Sequence, residues 1–229
     1  MTGFERYALY YAPEPGALAD FGASWLGWDA GAGMSRPHPD LPALPVPVAD
    51  LTATPRKYGF HGTLKPPFRL APGSTPAALH ADAAALCATL APVTLGALRL
   101  ARIGRFLALV PEGGEEGLAA LAAALVRGLD AHRAPPTEAE SARRRAARLS
   151  PRQEALLARW GYPYVMEEFR FHLTLTGPLD PATRDATEAA LGPVLAPLLP
   201  RPFRIGSACL FGEAPDGRFH LVHRYALTG

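Results

Sequence analysis

Two short strings hold the residue types that acid–base chemistry needs: His61-Gly62-Thr63-Leu64 and His172-Leu173-Thr174-Leu175. In an extended chain successive side chains point to opposite faces, so His and Thr of each string share one face and the apolar residues share the other. The first polar face also carries Lys57 and Lys65; the second carries Arg170 and Thr176. If the two faces confront one another, the cleft between them holds two imidazoles, at least three hydroxyls and up to three cations. Imidazoles titrate near neutrality, so one can take a proton from water while the other protonates a departing alkoxide. Hydroxyl and cation donors suit the non-bridging oxygens of an anionic ester. One histidine per strand without a carboxylate is a poor metal set, so neither a metal nor another cofactor is expected.

These strings must be placed by the elements around them. Residues 6–12 are an aromatic run bounded by Pro13 and Pro15, which predicts a strand, with a short helix from about Gly16 to Trp28. Residues 31–57 hold six prolines and read as a long, stiff loop. Tyr58–Lys65 and Phe169–Thr176 are expected strands, the first ending against Pro66-Pro67. Thr75-Pro76 and Asp180-Pro181 start helices, the second breaking near Gly192-Pro193 or by Pro197. Strands are predicted over 93–101 and 104–110 around Gly104, then a helix from Glu115 to about His132 with Leu118, Leu121, Leu125 and Leu129 on one side. A helical insertion spans about 133–160. Thr137/Glu140 and Ser150/Gln153 are capping boxes, so it should form two helices. Within it, Arg143-Arg144-Arg145 reads as a solvated helix face beside Glu138 and Glu140. Residues 202–211 and 217–227 close the chain as a hairpin.

The two strings belong to a repeat. Phe60-His61-Gly62-Thr63-Leu64 matches Phe171-His172-Leu173-Thr174-Leu175, and Gly104-Arg105-Phe106 and Gly217-Arg218-Phe219 follow at similar distances. Arg6-Tyr7 running to Pro13-Glu14 resembles Arg105-Phe106 running to Pro111-Glu112. The expected fold is α+β: one bilobal domain over 1–229, with two antiparallel sheets and outer helices around a central cleft.

Composition narrows the partners. The 229 residues are 48% hydrophobic and 19% charged, which indicates a globular chain. Net charge is +2, from 23 basic and 21 acidic residues, too small an excess to demand long nucleic acid. The longest uncharged stretch, Ala83–Leu98, is 16 residues broken by Pro92, too short for a membrane span. Cys87 and Cys209 match no metal or redox spacing, and Met1–Tyr11 lacks the pattern of a signal peptide. A cytoplasmic location is expected. Lys57 and Lys65 are the only lysines, and each lies four residues from His61.

The paired motifs resemble the 2H phosphoesterase superfamily, named for two His-x-Thr/Ser motifs in a duplicated bilobal fold. The strings from Tyr58 to Phe68 and from Trp160 to His172 look like the branch associated with bacterial phosphonate-utilisation operons. That resemblance implies His61 and His172 as the catalytic pair and Thr63 and Thr174 as phosphate-binding residues, with either histidine able to be the base. Lys65 and Tyr58 are further candidates for substrate contact, Tyr58 only if the strand begins later than it. His220 is the favoured additional histidine; His38, His80 and His132 are expected at solvated positions. The leading reading is a metal-independent phosphodiesterase acting on a small cyclic or 2′-linked phosphodiester, and the operon association suggests a ribose cyclic phosphate. The alternatives are an enzyme processing 2′,3′-cyclic or 2′,5′-linked RNA ends and a module that binds a phosphate ester without turning it over.

Overall fold

The aromatic run folds as β1 (Arg6–Tyr11) and is followed by α1 (Ala17–Leu26) in the computed structural model, which describes residues 3–229. The two-residue strand β2 (Trp28–Asp29) precedes the proline-rich segment, in which β3 (Met34–Ser35) and the short helix α2 (Val48–Leu51) lie. Next come β4 (Gly62–Phe68), α3 (Pro76–Ala88), β5 (Val93–Leu95), β6 (Ala97–Ile103), β7 (Phe106–Glu112) and α4 (Glu115–Gly128). The insertion supplies α5 (Glu138–Arg145) and α6 (Pro151–Trp160). The chain closes with β8 (Leu173–Thr174), α7 (Pro181–Leu195), β9 (Phe203–Ile205), β10 (Ser207–Glu213) and β11 (Phe219–Ala226).

Local signals set most of these starts. Thr75 accepts a hydrogen bond from the Ala78 N–H and Asp180 accepts one from Thr183, each just before a proline at the first helical turn. Both capping boxes form, Thr137 with Glu140 and Ser150 with Gln153, so the insertion is two helices. The last helix runs through Pro193 and ends at Leu195, so of the two expected stops it takes the later one, before Pro197.

Seven antiparallel strands form one sheet in the order β11-β10-β1-β4-β8-β7-β6. Its two halves meet at a single pair, Gly62 opposite Leu173, so the middle residues of the two motifs are the seam. The repeat is exchanged in space. The β6–β7 hairpin follows the His61 strand in sequence but pairs with the His172 strand, while the C-terminal hairpin pairs with β1, which in turn borders β4. The Arg6-Tyr7 and Arg105-Phe106 strands take equivalent places, β1 beside β4 and β7 beside β8.

Helices α3, α4 and α7 pack on one face of the sheet. The core there includes Leu9, Tyr11, Leu64, Leu109, Leu118, Leu125, Leu173 and Leu175. Each fully buried leucine contributes about 1.5–3 kcal/mol, so this layer is the rigid platform beneath the site. The opposite face carries Ala8, Tyr10, Cys209, Phe211 and Phe219, and the cleft opens there. Both cysteines are free and buried. Among the described residues no helix is long and apolar enough to cross a membrane.

Candidate active site

The predicted Tyr58–Lys65 strand begins only at Gly62. Arg56–Tyr58 is a 3-10 turn that ends at Gly59 with φ +71°. A Cβ on Gly59 would lie 2.7 Å from that of Ala30, so both the conformation and the space call for glycine. The turn aims the Gly59 carbonyl oxygen at His61 Nδ1, 2.9 Å away. His172 repeats the arrangement, with Nδ1 2.8 Å from the Arg170 carbonyl oxygen. The expected Phe169–Thr176 strand is regular only over Leu173–Thr174, which leaves that carbonyl free to accept the bond. A carbonyl can only accept, so each Nδ1 carries the proton and each neutral ring has a bare Nε2. Thr63 Oγ1 stands 3.3 Å from His61 Nε2.

A cleft of about 550 Å³ is walled by His61, Thr63, Thr174, Tyr58, Tyr10 and Lys57, among others. His172 approaches from the other half: its ring centroid is 5.7 Å from that of Phe106, a cleft residue. Tyr10 is buried and stacks on His61 with centroids 3.8 Å apart. Burial lowers the His61 pKa to about 4, with the nearby His172 charge adding to the shift against the opposing Gly59 hydrogen bond. Burial also lowers that of His172, opposed by the hydrogen bond to Arg170.

The structure therefore gathers His61, Thr63, Thr174 and Tyr58 around one opening. His172 is not among the residues that wall it, but it stands beside the wall residue Phe106 and near enough for its charge to act on His61. Tyr58 reaches the opening because it precedes the strand, its ring 6.0 Å from that of His61. Lys65 does not reach it. Thr63 pairs with Tyr10 and Lys65 with Leu9, so Leu64 is an extra residue in a bulge that reverses the parity beyond it. A second irregularity spans Pro66-Pro67, which lack the N–H groups of a regular ladder, and the strand continues through them to Phe68. Lys65 is 2% exposed and donates to the Val126 carbonyl at 3.0 Å, in the last turn of α4 where carbonyls lack helical partners. Burial lowers its pKa to about 8, against the raising effect of Asp130.

Lys65 is thus a cap for α4 and not a substrate contact. Lys65→Met is expected to leave kcat/KM within about twofold and stability within about 1 kcal/mol, since a buried charge is replaced by an apolar chain of similar length. Lys65→Ala should cost about 2–4 kcal/mol, through the cavity that the methionine chain would fill. Denaturant unfolding and steady-state kinetics check both; a large kcat/KM loss in the methionine variant would return Lys65 to the site.

Other expectations also change. Arg170 bonds the carbonyls of Glu167 and Phe169, outside the cleft. The Thr176 hydroxyl accepts from the Leu107 N–H and donates to the Gly177 carbonyl, so it is already engaged. His220 packs edge-on to Trp28, away from the cleft. His132 is buried, with Nδ1 2.6 Å from Ser74 Oγ and Nε2 2.8 Å from Asp82, and not solvated. His38 Nδ1 bonds carbonyls at the end of α1. The sequence reading missed Tyr10, Tyr162, Arg143 and Arg144, all of which line the cleft. Tyr10 enters through the strand register that sets it opposite Thr63, and nothing local in the sequence marks it or the two arginines. Among the described residues no group of three or more His, Cys, Asp and Glu side chains could hold a metal.

Residues 63–220 match the family described as "Protein of unknown function (DUF1045)", which is more than half of the chain. The chain belongs to this family. This DUF1045 protein is 43% identical over 182 residues to a protein of Janthinobacterium sp. (strain Marseille) named "Ribose 1,5-bisphosphate phosphokinase PhnN", the match covering 79% of this chain and 40% of that one. A protein of the same name from Laribacter hongkongensis (strain HLHK9) is 41% identical over 176 residues, covering 76% and 40%. The DUF1045 chain thus spans about two-fifths of the length of these curated relatives. Among solved structures it is similar to E. coli LigT complexed with NADP+, at 18% identity and a TM-score of 0.44, covering 100% of both chains. It is likewise similar to TT0787 of Thermus thermophilus, at 17% identity and a TM-score of 0.44, covering 98% of each.

Proposed function

We propose that this chain is a metal-independent phosphodiesterase that hydrolyses a small cyclic phosphodiester, with His61 as general base and His172 as general acid. The observation that carries this reading is the matched pair of imidazoles, each with its Nδ1–H tied to the carbonyl two residues upstream, which leaves Nε2 as the atom that gains or loses a proton. The depressed pKa of His61 supports these roles: it stays neutral, and so able to accept a proton, down to about pH 4. His61 Nε2 takes a proton from water as the water oxygen forms its bond to phosphorus. The bond from phosphorus to the departing sugar oxygen breaks, and that oxygen takes the Nε2 proton of His172, which enters the step protonated on both ring nitrogens. The ring opens to a phosphomonoester, and solvent exchange returns each histidine to its starting state. Thr63 and Thr174, with Lys57 at the rim, hold the non-bridging oxygens and the charge that builds on them.

The relatives' name supports a sugar phosphate as the substrate class, and a ribose cyclic phosphate is our first choice. This chain contains no Gly-x-x-x-x-Gly-Lys phosphate loop, since its lysines stand only at 57 and 65. We assign the kinase named in those relatives to the part of their length that this chain does not match. Processing of RNA ends is the second reading, favoured by Tyr58, Tyr162 and Arg144 at the rim, which offer stacking and charge to a nucleotide.

The test is phosphorus NMR of the purified protein in excess EDTA, with ribose cyclic phosphates, ribonucleoside 2′,3′-cyclic phosphates and a short RNA ending in a cyclic phosphate. Conversion of the sugar compounds is expected; preference for the RNA would shift the reading to end processing. Ligand binding without any conversion would make the chain a binding module.

The pH dependence follows from the two histidines. The base works when neutral, so kcat/KM should rise as pH climbs through about 4. The acid works when protonated, and its pKa lies below the ordinary 6.5, so kcat/KM should fall again before neutrality. The expected profile is a bell on the acid side; an optimum above about pH 7.5 would contradict the assignment.

A further inference from the structure

Helix α5 ends in three consecutive arginines that the structure separates. Arg145 turns away to Glu154, with Nε 2.9 Å from Oε2. Arg143 and Arg144 turn to the cleft that holds His61 and Thr63. They also line a small adjoining pocket with Pro67, which none of the motif residues touches, so they stand where the cleft wall runs along β4 beyond Thr63. The other arginines at that junction have carboxylate partners: Arg6 with Glu213, Arg69 with Glu140 and Arg133 with Asp130. Among the described residues Arg143 and Arg144 have none. Arg144 is held in place, its guanidinium carbon 4.5 Å from the centroid of the Tyr162 ring, and Tyr162 is itself a cleft residue.

Glu140, the carboxylate that shares the adjoining pocket, is taken up by Arg69, so the two guanidiniums at the cleft wall keep their hydrogen-bond donors open to solvent and to an anion that enters. The scissile diester carries a single negative charge, which Lys57 already faces. A phosphomonoester carries nearly two charges and three acceptor oxygens, which fits two guanidinium forks. We infer that Arg143 and Arg144, with Tyr162 behind Arg144, form a binding site for a second phosphate, so that the substrate is a sugar bearing a cyclic phosphodiester at one end and a phosphomonoester at the other. The inference rests on the proposed phosphodiesterase reading and names its substrate class. The insertion is then a specificity element. It contributes no acid or base, but selects a doubly phosphorylated sugar over an otherwise identical singly phosphorylated one.

The deciding experiment has two arms, each run on the wild type, Arg143→Gln/Arg144→Gln and the control Arg145→Gln. In the first, calorimetry measures binding of ribose 5-phosphate, which has no diester to hydrolyse. Its Kd is expected to rise at least tenfold in the double variant and to stay within twofold in the control. In the second, kcat/KM is compared for ribose cyclic phosphates with and without a 5-phosphate. The preference for the phosphorylated compound is expected to fall at least tenfold in the double variant. Equal ribose 5-phosphate binding in wild type and double variant, or an unchanged preference, would overturn the subsite. Loss of processing confined to the RNA substrate would also overturn it, in favour of a polynucleotide contact. If the wild type hydrolyses neither cyclic phosphate, the phosphodiesterase reading fails, and the calorimetric arm still decides the subsite.

Discussion

Replacing either histidine of the pair, by His61→Ala or His172→Ala, is expected to lower kcat by about 10²–10⁴-fold, the range that a positioned acid or base contributes. The double variant should fall little below the weaker single variant, because a base without its acid partner has already lost the concerted proton transfer. His61→Ala should also remove the rise in kcat/KM near pH 4, since that limb belongs to the base. His172→Ala should remove the fall on the alkaline side. Initial rates across the pH range, with folding checked by thermal unfolding, measure all of this. Persistent turnover in His61→Ala with an unaltered acid limb would move the base elsewhere in the cleft.

The second large effect is expected at Gly62, which lies between His61 and Thr63 and has no chemistry of its own. A Cβ placed there would come within 2.4 Å of two atoms of the Phe171 ring, and Phe171 is buried in the core. Gly62 is also the residue of β4 that pairs across the seam with Leu173. Gly62→Ala must therefore move either the ring or the pairing of the two halves, at a cost of about 1–3 kcal/mol from overpacking. The displacement falls on the two strands that aim the histidines, so a tenfold or greater loss of kcat/KM should accompany it, as small misplacements of reacting groups cost about 10²-fold. Gly62→Ala combined with Phe171→Leu should be less destabilised than the sum of the single variants, because the second change removes the ring atoms that the first one strikes. Calorimetric unfolding of the four proteins gives the coupling; strict additivity would show that the seam yields without straining the ring. The same contact explains why the middle residue of the first motif is glycine, while that of the second is a leucine buried in the core.

The acid-side behaviour also reaches stability. The folded protein holds His61 with a pKa of about 4, below the ordinary 6.5 of an unfolded chain. The unfolded state thus binds more protons in that range. Stability from keeping His61 neutral is complete above about pH 6.5 and declines as pH falls toward 4. The conditions that favour the proposed acid–base pair are therefore those in which the fold begins to weaken, a tension that a buried catalytic imidazole brings with it.

Much of the molecule was legible as local pattern. The capping boxes at Thr137 and Ser150 and the caps at Thr75 and Asp180 are set by residues three positions apart, and all four form. The leucines of α4 lie on one face because the helical period puts them there, and that face is buried. The repeated His-x-Thr strings announced paired histidines with a shared chemical setting, and their Nδ1 bonds prove equivalent.

Lys65, Arg143, Arg144 and the exchanged hairpins mark where such reading ends. Strict alternation puts Lys65 beside His61 and Thr63, but the bulge at Leu64 depends on how β4 registers against β1, more than fifty residues earlier. Once parity reverses there, a buried lysine needs an acceptor, and the end of α4, some sixty residues later, supplies one. The run Arg143-Arg144-Arg145 looks like one solvated face because its neighbours in sequence are acidic, yet only Arg145 finds a carboxylate across the helix pair. Sequence alone determined the repeated His-x-Thr strings and the starts of the capped helices, because a repeat is read directly and capping and helical period act over a few residues. Only the tertiary structure decided which hairpin borders which histidine, which cations face the cleft and that Gly62 and Leu173 join the halves. Those outcomes depend on strand register and side-chain packing between distant segments, and no short-range pattern encodes them.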